Sequence, residues 1–230
     1  MPLTPDQFAA VQSGMAADLP RFAPELAVAG TVVVLLVSRL FDALSRVHLA
    51  AVALAGTGFA LTLLVGCPLG LWAAPPPGPA FAGLLALDPF AVYLRGLLLG
   101  FAVLVVVLTR LTGVPDADDS ADFYALLLGG TLGLMLMTAA DHLLMVFVGV
   151  EMASLPSYAM SGFLKGRRTG SEAALKYAVY GAAASGVMLY GISVLAGAFG
   201  TGHLPTIAGR FAGTAAAMPL AVSAGTFLVL

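Results

Sequence analysis

Residues 143–163 read LLMVFVGVEMASLPSYAMSGF, an apolar run with one charged residue, Glu151. As a helix rising about 1.5 Å per residue, this run is long enough to cross a hydrocarbon core about 30 Å thick. Glu151 then lies about 12 Å from the Leu143 end, near mid-membrane. Because a charged side chain at that depth costs about 2.5 kcal/mol or more, Glu151 predicts an ion or proton pathway. The alternative is a protonated carboxyl that hydrogen-bonds between helices.

The composition of the whole chain agrees with a membrane protein. Hydrophobic residues make up 60% of the chain and charged residues 10%, whereas a soluble domain carries about 25% charged residues. The net charge is -2 and the basic residues do not form the clustered basic face that DNA or RNA requires, which argues against a nucleic-acid partner. Cys67 is the one cysteine, so neither an internal disulfide nor a cysteine-rich metal site is expected.

Six apolar segments of spanning length, plus the start of a seventh, predict the fold class. We expect an all-α integral membrane protein, a polytopic bundle within a single transmembrane domain over residues 1–230. The predicted helices cover about residues 25–41, 49–73, 89–111, 123–140, 143–163, 172–199 and 215–230. The proline-rich residues 74–79 are predicted to form a turn. Because the last run has no polar cap, we expect an N-terminal piece of a longer protein rather than a chain with an abrupt apolar end.

The basic residues predict the orientation. Six of them lie in or next to the loops after the first, third and fifth helices, and two lie on the opposite side. Because cytoplasmic loops carry an excess of Lys and Arg, this places the N-terminus outside. The six are Arg39, Arg46, Arg110, Lys165, Arg167 and Arg168, and the two are Arg21 and Arg210. Residues 1–25 are too acidic for a signal peptide, so we expect a retained lead-in.

Small residues spaced four apart indicate close helix packing. Such spacing lets helix backbones approach in lipid, which favours a compact bundle. The pairs are Gly96 with Gly100, Gly129 with Gly133, Gly181 with Ser185, and Ala182 with Gly186.

Four further residues bear on the Glu151 site. Pro156 cannot donate a hydrogen bond to the carbonyl of Met152, which predicts either a water-admitting gap beside Glu151 or a simple packing kink. Thr169 and Glu172 fit a capping box at the start of the sixth helix. Lys176 then lies about 10 Å inside that helix. It either faces the bundle interior, with a role in proton exchange, or forms an i,i+4 pair with Glu172.

For the other polar residues we expect mainly structural roles. Asp88 and Arg95 are seven residues apart on similar helix faces, and we interpret them as an anchoring pair, with a functional role as the alternative. His142 lies at a helix end and His203 in a loop, and neither has a nearby second histidine or cysteine in sequence for a metal site. The glycines at 197–202 accompany no lysine-bearing phosphate loop, so no nucleotide site is predicted.

Several motifs together resemble a known family. They are DFYALLL at 122–128, LMLM at 134–137, DHLLM at 141–145, EMASLPSY at 151–158, SEAALKY at 171–177 and GAAASGVMLYGI at 181–192. In combination they are very similar to the N subunits of bacterial NADH-quinone oxidoreductase, respiratory complex I, which are antiporter-like membrane subunits. The similarity is continuous over about residues 122–202 and looser before, where Pro24-Glu25 and Asp88-Pro-Phe also fit.

The resemblance implies a fold of about fourteen helices built from inverted repeats, of which this chain would be the N-terminal part. It implies that Glu151 is the family's key glutamate and that Lys176 and Glu172 match the charged residues of its sixth helix. No cofactor is implied in this chain, because NADH, FMN, iron–sulfur clusters and quinone are expected in other subunits. The family's lysines on later helices lie beyond residue 230.

The expected function is therefore proton translocation within a NADH:quinone oxidoreductase, coupled to NADH oxidation and quinone reduction. The expected partners are other complex I membrane subunits, protons and the lipid bilayer of a bacterial inner membrane. One alternative is a subunit of a multi-component cation/proton antiporter or a membrane-bound hydrogenase. Another is a structural membrane subunit that conducts nothing.

Overall fold

The computed structural model describes residues 14–39, 49–65, 78–113, 120–164, 168–213 and 220–229. Its helices are α1 Ala23–Ser38, α2 Leu49–Val65, α3 Pro89–Thr112, α4 Ser120–Thr138, α5 Leu143–Ser161, α6 Arg168–Phe199, α7 Leu204–Gly213 and α8 Leu220–Val229. A 3-10 turn, Leu19–Phe22, precedes α1. Strands β1, Gly78–Ala80, and β2, Leu85–Leu87, pair antiparallel.

The predicted class, a polytopic helical membrane bundle, is confirmed. Among the described residues, the helical segment Gly14–Ser38 and helices α3, α4, α5 and α6 are long and apolar enough to cross a membrane. Helix α2 is equally apolar but shorter. The sequence reasoning missed α7, whose amphipathic turns lie between the sixth and seventh predicted segments. It also placed the start of the sixth helix too late, because α6 begins at Arg168 and contains Thr169.

The first four helices enclose an apolar core. Both α1 and α3 pack on α2 and on α4. Their buried positions recur every three or four residues, as one inward face of a helix requires. In α1 these positions are Glu25, Val28, Thr31, Leu35 and Ser38, and in α3 they are Ala91, Arg95, Leu99, Ala102 and Val106.

One end of the bundle, which we call the hairpin end, is closed by β1, β2 and two interhelical turns. The backbone N–H of Ala86 donates to the carbonyl of Ala139 at 2.7 Å, tying the hairpin to the α4–α5 turn. The N–H of Leu204 donates to the carbonyl of Asp141 at 2.9 Å, tying that turn to the start of α7. The hairpin reverses direction through Phe81 and Ala82, both with positive φ, and the Asp18 carboxylate accepts a hydrogen bond from the N–H of Phe81 at 2.8 Å.

Glycines allow α4 and α5 to approach closely. A Cβ at Gly133 would lie 2.5 Å from the backbone nitrogen of Ala153, and one at Gly149 would lie 3.0 Å from the backbone of Met137. The predicted packing role of the Gly129–Gly133 pair is thus confirmed at Gly133. By contrast, a Cβ at Gly100 or at Gly186 would meet no atom of the described residues within 4 Å, so these two glycines form no close helix contact there.

Candidate functional site

Glu151 lies near the middle of α5 and is partly buried. Its Oε1 atom is fully buried and has no hydrogen-bond partner among the described residues. A buried carboxylate oxygen without a partner is unfavourable, since burial removes the water that would otherwise bind it. This position therefore calls for a proton, a water molecule or a cation.

The side of α5 that carries Glu151 faces α6. Tyr158, two helical turns further along α5, shares that face with Glu151. Its ring meets the ring of Tyr177 of α6 edge-to-face, with centroids 4.7 Å apart, and a Cβ at Gly181 of α6 would lie 2.0 Å from the Tyr158 hydroxyl oxygen. Glu151 thus points away from the glycine-mediated contact with α4.

Glu172 and Lys176 form the i,i+4 ion pair that was one of the two predicted alternatives. The Lys176 Nζ atom lies 2.5 Å from Glu172 Oε1, and the side chains are 65% and 59% exposed, respectively. Because the neighbouring Tyr177 is level with Tyr158, Lys176 lies about 10 Å from Glu151 along the helix axis. The structure thus does not bring Lys176 into contact with Glu151, and a shared role of these three residues stays a prediction.

Pro156 lies inside α5, which remains helical through it. The ring contacts α4, with its Cβ 3.7 Å from a Cβ placed on Gly130. An apolar cleft of about 480 Å³ beside Pro156 is lined by α1, α4 and α5. Since Pro156 lies on the α4 side of α5, this cleft opens on a different face from Glu151. The predicted freeing of the Met152 carbonyl stays a prediction.

A second charged pair was missed by the sequence analysis. Arg95 Nε lies 3.1 Å from Oε1 of Glu25, and both side chains are almost completely buried. Asp88 instead caps α3, accepting a hydrogen bond from the N–H of Ala91 at 2.7 Å. The ion-pair partner of Arg95 is thus Glu25, and of the predicted pairing of Asp88 with Arg95 only an electrostatic interaction is present. The available signal was helical spacing, which places Glu25 in line with Val28 on the core face of α1.

The two histidines at the hairpin end are closer than their separation in sequence indicated. His142 caps α5 and pairs with His203 in an isolated antiparallel bridge. The Nε2 atom of His203 lies 3.5 Å from Oδ2 of Asp141. Across the described ranges, however, no three His, Cys, Asp or Glu side chains are arranged to hold a metal ion.

Comparison with known proteins shows which family the chain resembles. The family described as NADH:quinone oxidoreductase/Mrp antiporter, transmembrane, matches residues 140–230, which include Glu151. NADH-quinone oxidoreductase subunit N of Anaeromyxobacter sp. is 37% identical over 205 residues, covering 88% of this chain and 39% of that protein. The match thus extends well beyond the six motifs.

Two solved structures share the fold. A chain of respiratory complex I from Thermus thermophilus is 28% identical, covers 90% of this chain and 42% of its own length, and has a TM-score of 0.65. A chain of the archaeal membrane-bound sulfane sulfur reductase has a TM-score of 0.72 over 94% of this chain and 43% of its own length. At 21% identity, that second likeness concerns the fold alone.

The chain spans less than half the length of the relatives it matches. Within that length, the fold and the sequence identity agree. The chain belongs to the antiporter-like membrane subunits of the NADH:quinone oxidoreductase/Mrp antiporter family.

Proposed function

We propose that this protein is a proton-translocating membrane subunit of a NADH:quinone oxidoreductase, in which NADH oxidation and quinone reduction drive proton pumping. The observation that carries the proposal is the Glu151 carboxyl in mid-helix, with its Oε1 atom buried and unpartnered among the described residues. The similarity to subunit N proteins supports the choice of enzyme. The chain would take part in catalysis only as a subunit, because its proposed chemistry is proton transfer.

Charge coupling provides the mechanism. A cation that approaches Glu151 favours the charged carboxylate, and withdrawal of that cation favours the protonated form. Alternating the two states releases and takes up a proton. Because Lys176 is held by Glu172 about two turns away, we propose that a cation outside the described contacts is the direct partner. Glu172 and Lys176 would tune Glu151 or connect it to the inner side.

The same proposal implies the membrane location and the partner subunits of the protein. The protein would lie in a bacterial inner membrane with its N-terminus outside, in contact with lipid and with other membrane subunits of complex I. We place NADH, FMN, the iron–sulfur clusters and quinone in those other subunits. For this chain we propose neither a redox cofactor nor a metal ion.

Replacing Glu151 by Gln tests the proposal, because the amide has nearly the same shape but does not take up the proton. The variant would be assembled in its membrane complex, and NADH-driven proton uptake and NADH oxidation would be recorded on the same inverted vesicles. We expect proton uptake per NADH to fall while assembly persists. Asp122→Asn, a neutralised carboxylate in a partly exposed ion pair with Arg39, serves as the matched control.

Two other results would reject the proposal. Wild-type proton uptake and oxidation in Glu151→Gln would assign Glu151 to packing or the protein to another machine. Loss of assembly without any change in the turnover of the complexes that do form would favour a structural subunit.

A further inference from the structure

A second buried ion pair lies apart from the Glu151 site. Glu25 is 1% exposed and Arg95 is 2% exposed. Glu25 precedes Val28 by three residues on α1, and Arg95 precedes Leu99 by four residues on α3, so both point inward with residues of the apolar core. The pair therefore occupies the hairpin end of the core formed by α1 to α4.

The hydrogen bonding of this pair is incomplete. Both carboxylate oxygens of Glu25, and the Nε and Nη2 atoms of Arg95, are buried and lack a well-aligned hydrogen bond within the described part of the chain. The contact of 3.1 Å is thus a charge contact with poor hydrogen-bond geometry. A buried ion pair is favourable only when further hydrogen bonds satisfy its remaining polar atoms. Buried water commonly supplies such bonds, about three per molecule.

Few other charges face the pair. Helix α2 and residues 78–87 contain no charged residue, and the one charged residue of α4, Asp122, lies at the opposite end of the bundle. Asp88 caps α3 and its charge also acts on Arg95, and Arg21 of the 3-10 turn lies 3.4 Å from Asp18. Among the described residues, Arg95 is the cation within ion-pair distance of Glu25, so it is the charge partner that opposes the cost of burying the carboxylate.

We propose that Glu25 and Arg95, together with bound water, form a second protonatable site of the proton route, at the hairpin end and separate from Glu151. This inference rests on the proposed function. Arg95 keeps its charge under all ordinary conditions, so Glu25 is the member that takes up the proton. An O–H bond forms at Glu25 as one breaks in a hydronium ion of the bound water, which is left as neutral water. Movement of the guanidinium back toward the carboxyl reverses the step.

Neutralising both members tests this site without leaving an unpaired buried charge. The double variant Glu25→Gln/Arg95→Met would be assembled in the membrane complex and assayed for proton uptake and NADH oxidation in inverted vesicles. We expect NADH oxidation to continue with a loss of proton uptake per NADH. The matched control is Arg39→Met/Asp122→Asn, which neutralises the more exposed pair that joins α1 to α4. A wild-type ratio of protons to NADH in Glu25→Gln/Arg95→Met would mean that the pair is only a structural tie.

If the complex with Glu25→Gln/Arg95→Met does not assemble, a second measurement tests whether Glu25 takes up a proton. Glu25→Asp keeps both charges, and infrared difference spectra between acid and alkaline pH report protonated carboxyl groups. A carbonyl band that shifts between the wild-type complex and Glu25→Asp supports the site, whereas identical spectra overturn it.

Glu151→Gln, assayed in parallel, separates the two proposals. Normal pumping in that variant rejects the proposed function and this site with it. Loss of pumping in Glu151→Gln but not in Glu25→Gln/Arg95→Met rejects the second site alone.

Discussion

The carboxylates of Glu25 and Glu151 are both within apolar helices, but they differ in what surrounds them. Glu25 lies inside the closed unit of α1 to α4 and has a guanidinium 3.1 Å away. Glu151 lies on the α6 side of α5, and its Oε1 atom has no partner among the described residues. Helix α6 itself exposes much of its surface, with Leu175 66% and Tyr190 65% exposed.

This difference separates two ways of keeping a charge in a membrane. At Glu25 the charge is balanced within the α1–α4 unit, so the pair contributes to the structure of that unit. At Glu151 the balance has to come from outside the described contacts, because a charged carboxylate in an apolar helix is costly without a partner.

Removing one member of the Glu25–Arg95 pair should have the largest effect on stability. In Arg95→Met the Glu25 carboxylate keeps its buried position and loses its cation, which typically costs about 3–5 kcal/mol. The free energy of unfolding would be measured by SDS titration of the purified protein in micelles, with helix content followed by circular dichroism. Adding Glu25→Gln should restore part of the loss. A single variant as stable as the wild type would show that the α1–α4 unit does not depend on this pair.

Gly133 lies where the α1–α4 unit meets α5, the helix that carries Glu151. Replacing it tests how closely α4 and α5 have to approach. Gly133→Ala would place a methyl group 2.5 Å from a backbone nitrogen, and such overpacking costs about 1–3 kcal/mol. The same titration would measure it. The matched control is Gly186→Ala on α6, where the methyl group meets no atom of the described residues within 4 Å. Equal losses of stability in Gly133→Ala and Gly186→Ala would mean that the α4–α5 contact at Gly133 is no more tightly packed than the surroundings of Gly186.

The cap of α3 provides a smaller test within the closed unit. Asp88→Ala removes the acceptor for the N–H of Ala91 and should cost about 1 kcal/mol. Asp88→Asn keeps an acceptor at the same place, so it should retain most of the stability. Both would be compared in the same titration. If Asp88→Asn loses as much as Asp88→Ala, the negative charge rather than the cap would matter, as expected of a direct interaction with Arg95.

The contrast also explains what the sequence could predict. Helical segments, their membrane character and the unusual Glu151 follow from local patterns, because the cost of a charge in an apolar run can be read without knowing its neighbours. The Glu172–Lys176 pair is local for the same reason, as i,i+4 spacing places both on one helix face. The Glu25–Arg95 pair joins positions 70 residues apart through the packing of α1 and α3 around α2 and α4, and no local pattern contains that arrangement.

The features at the hairpin end could not be predicted from the sequence, for a related reason. Strands β1 and β2 have three residues each, which is too short for an alternating pattern to stand out. The bridge of His142 with His203 depends on two interhelical turns meeting in space. Helix α7 has ten residues and is amphipathic, so a search for spanning apolar segments passes over it.

Lys176 should give the smallest change in stability and thereby the clearest separation of structure from transport. Its pair with Glu172 is exposed, and an exposed i,i+4 pair contributes about 0.5 kcal/mol or less. Lys176→Met should therefore leave the free energy of unfolding nearly unchanged. If Lys176 belongs to the proton route, the same variant should lower proton uptake per NADH in assembled vesicles, and Lys176→Arg, which keeps the charge, should restore part of it. Normal uptake in Lys176→Met would confine the pair to helix stabilisation. Lys176→Met would then change transport without changing stability, whereas Arg95→Met is expected to lower the stability of the α1–α4 unit, so the two variants together show how far the two sites differ in their contribution to the structure.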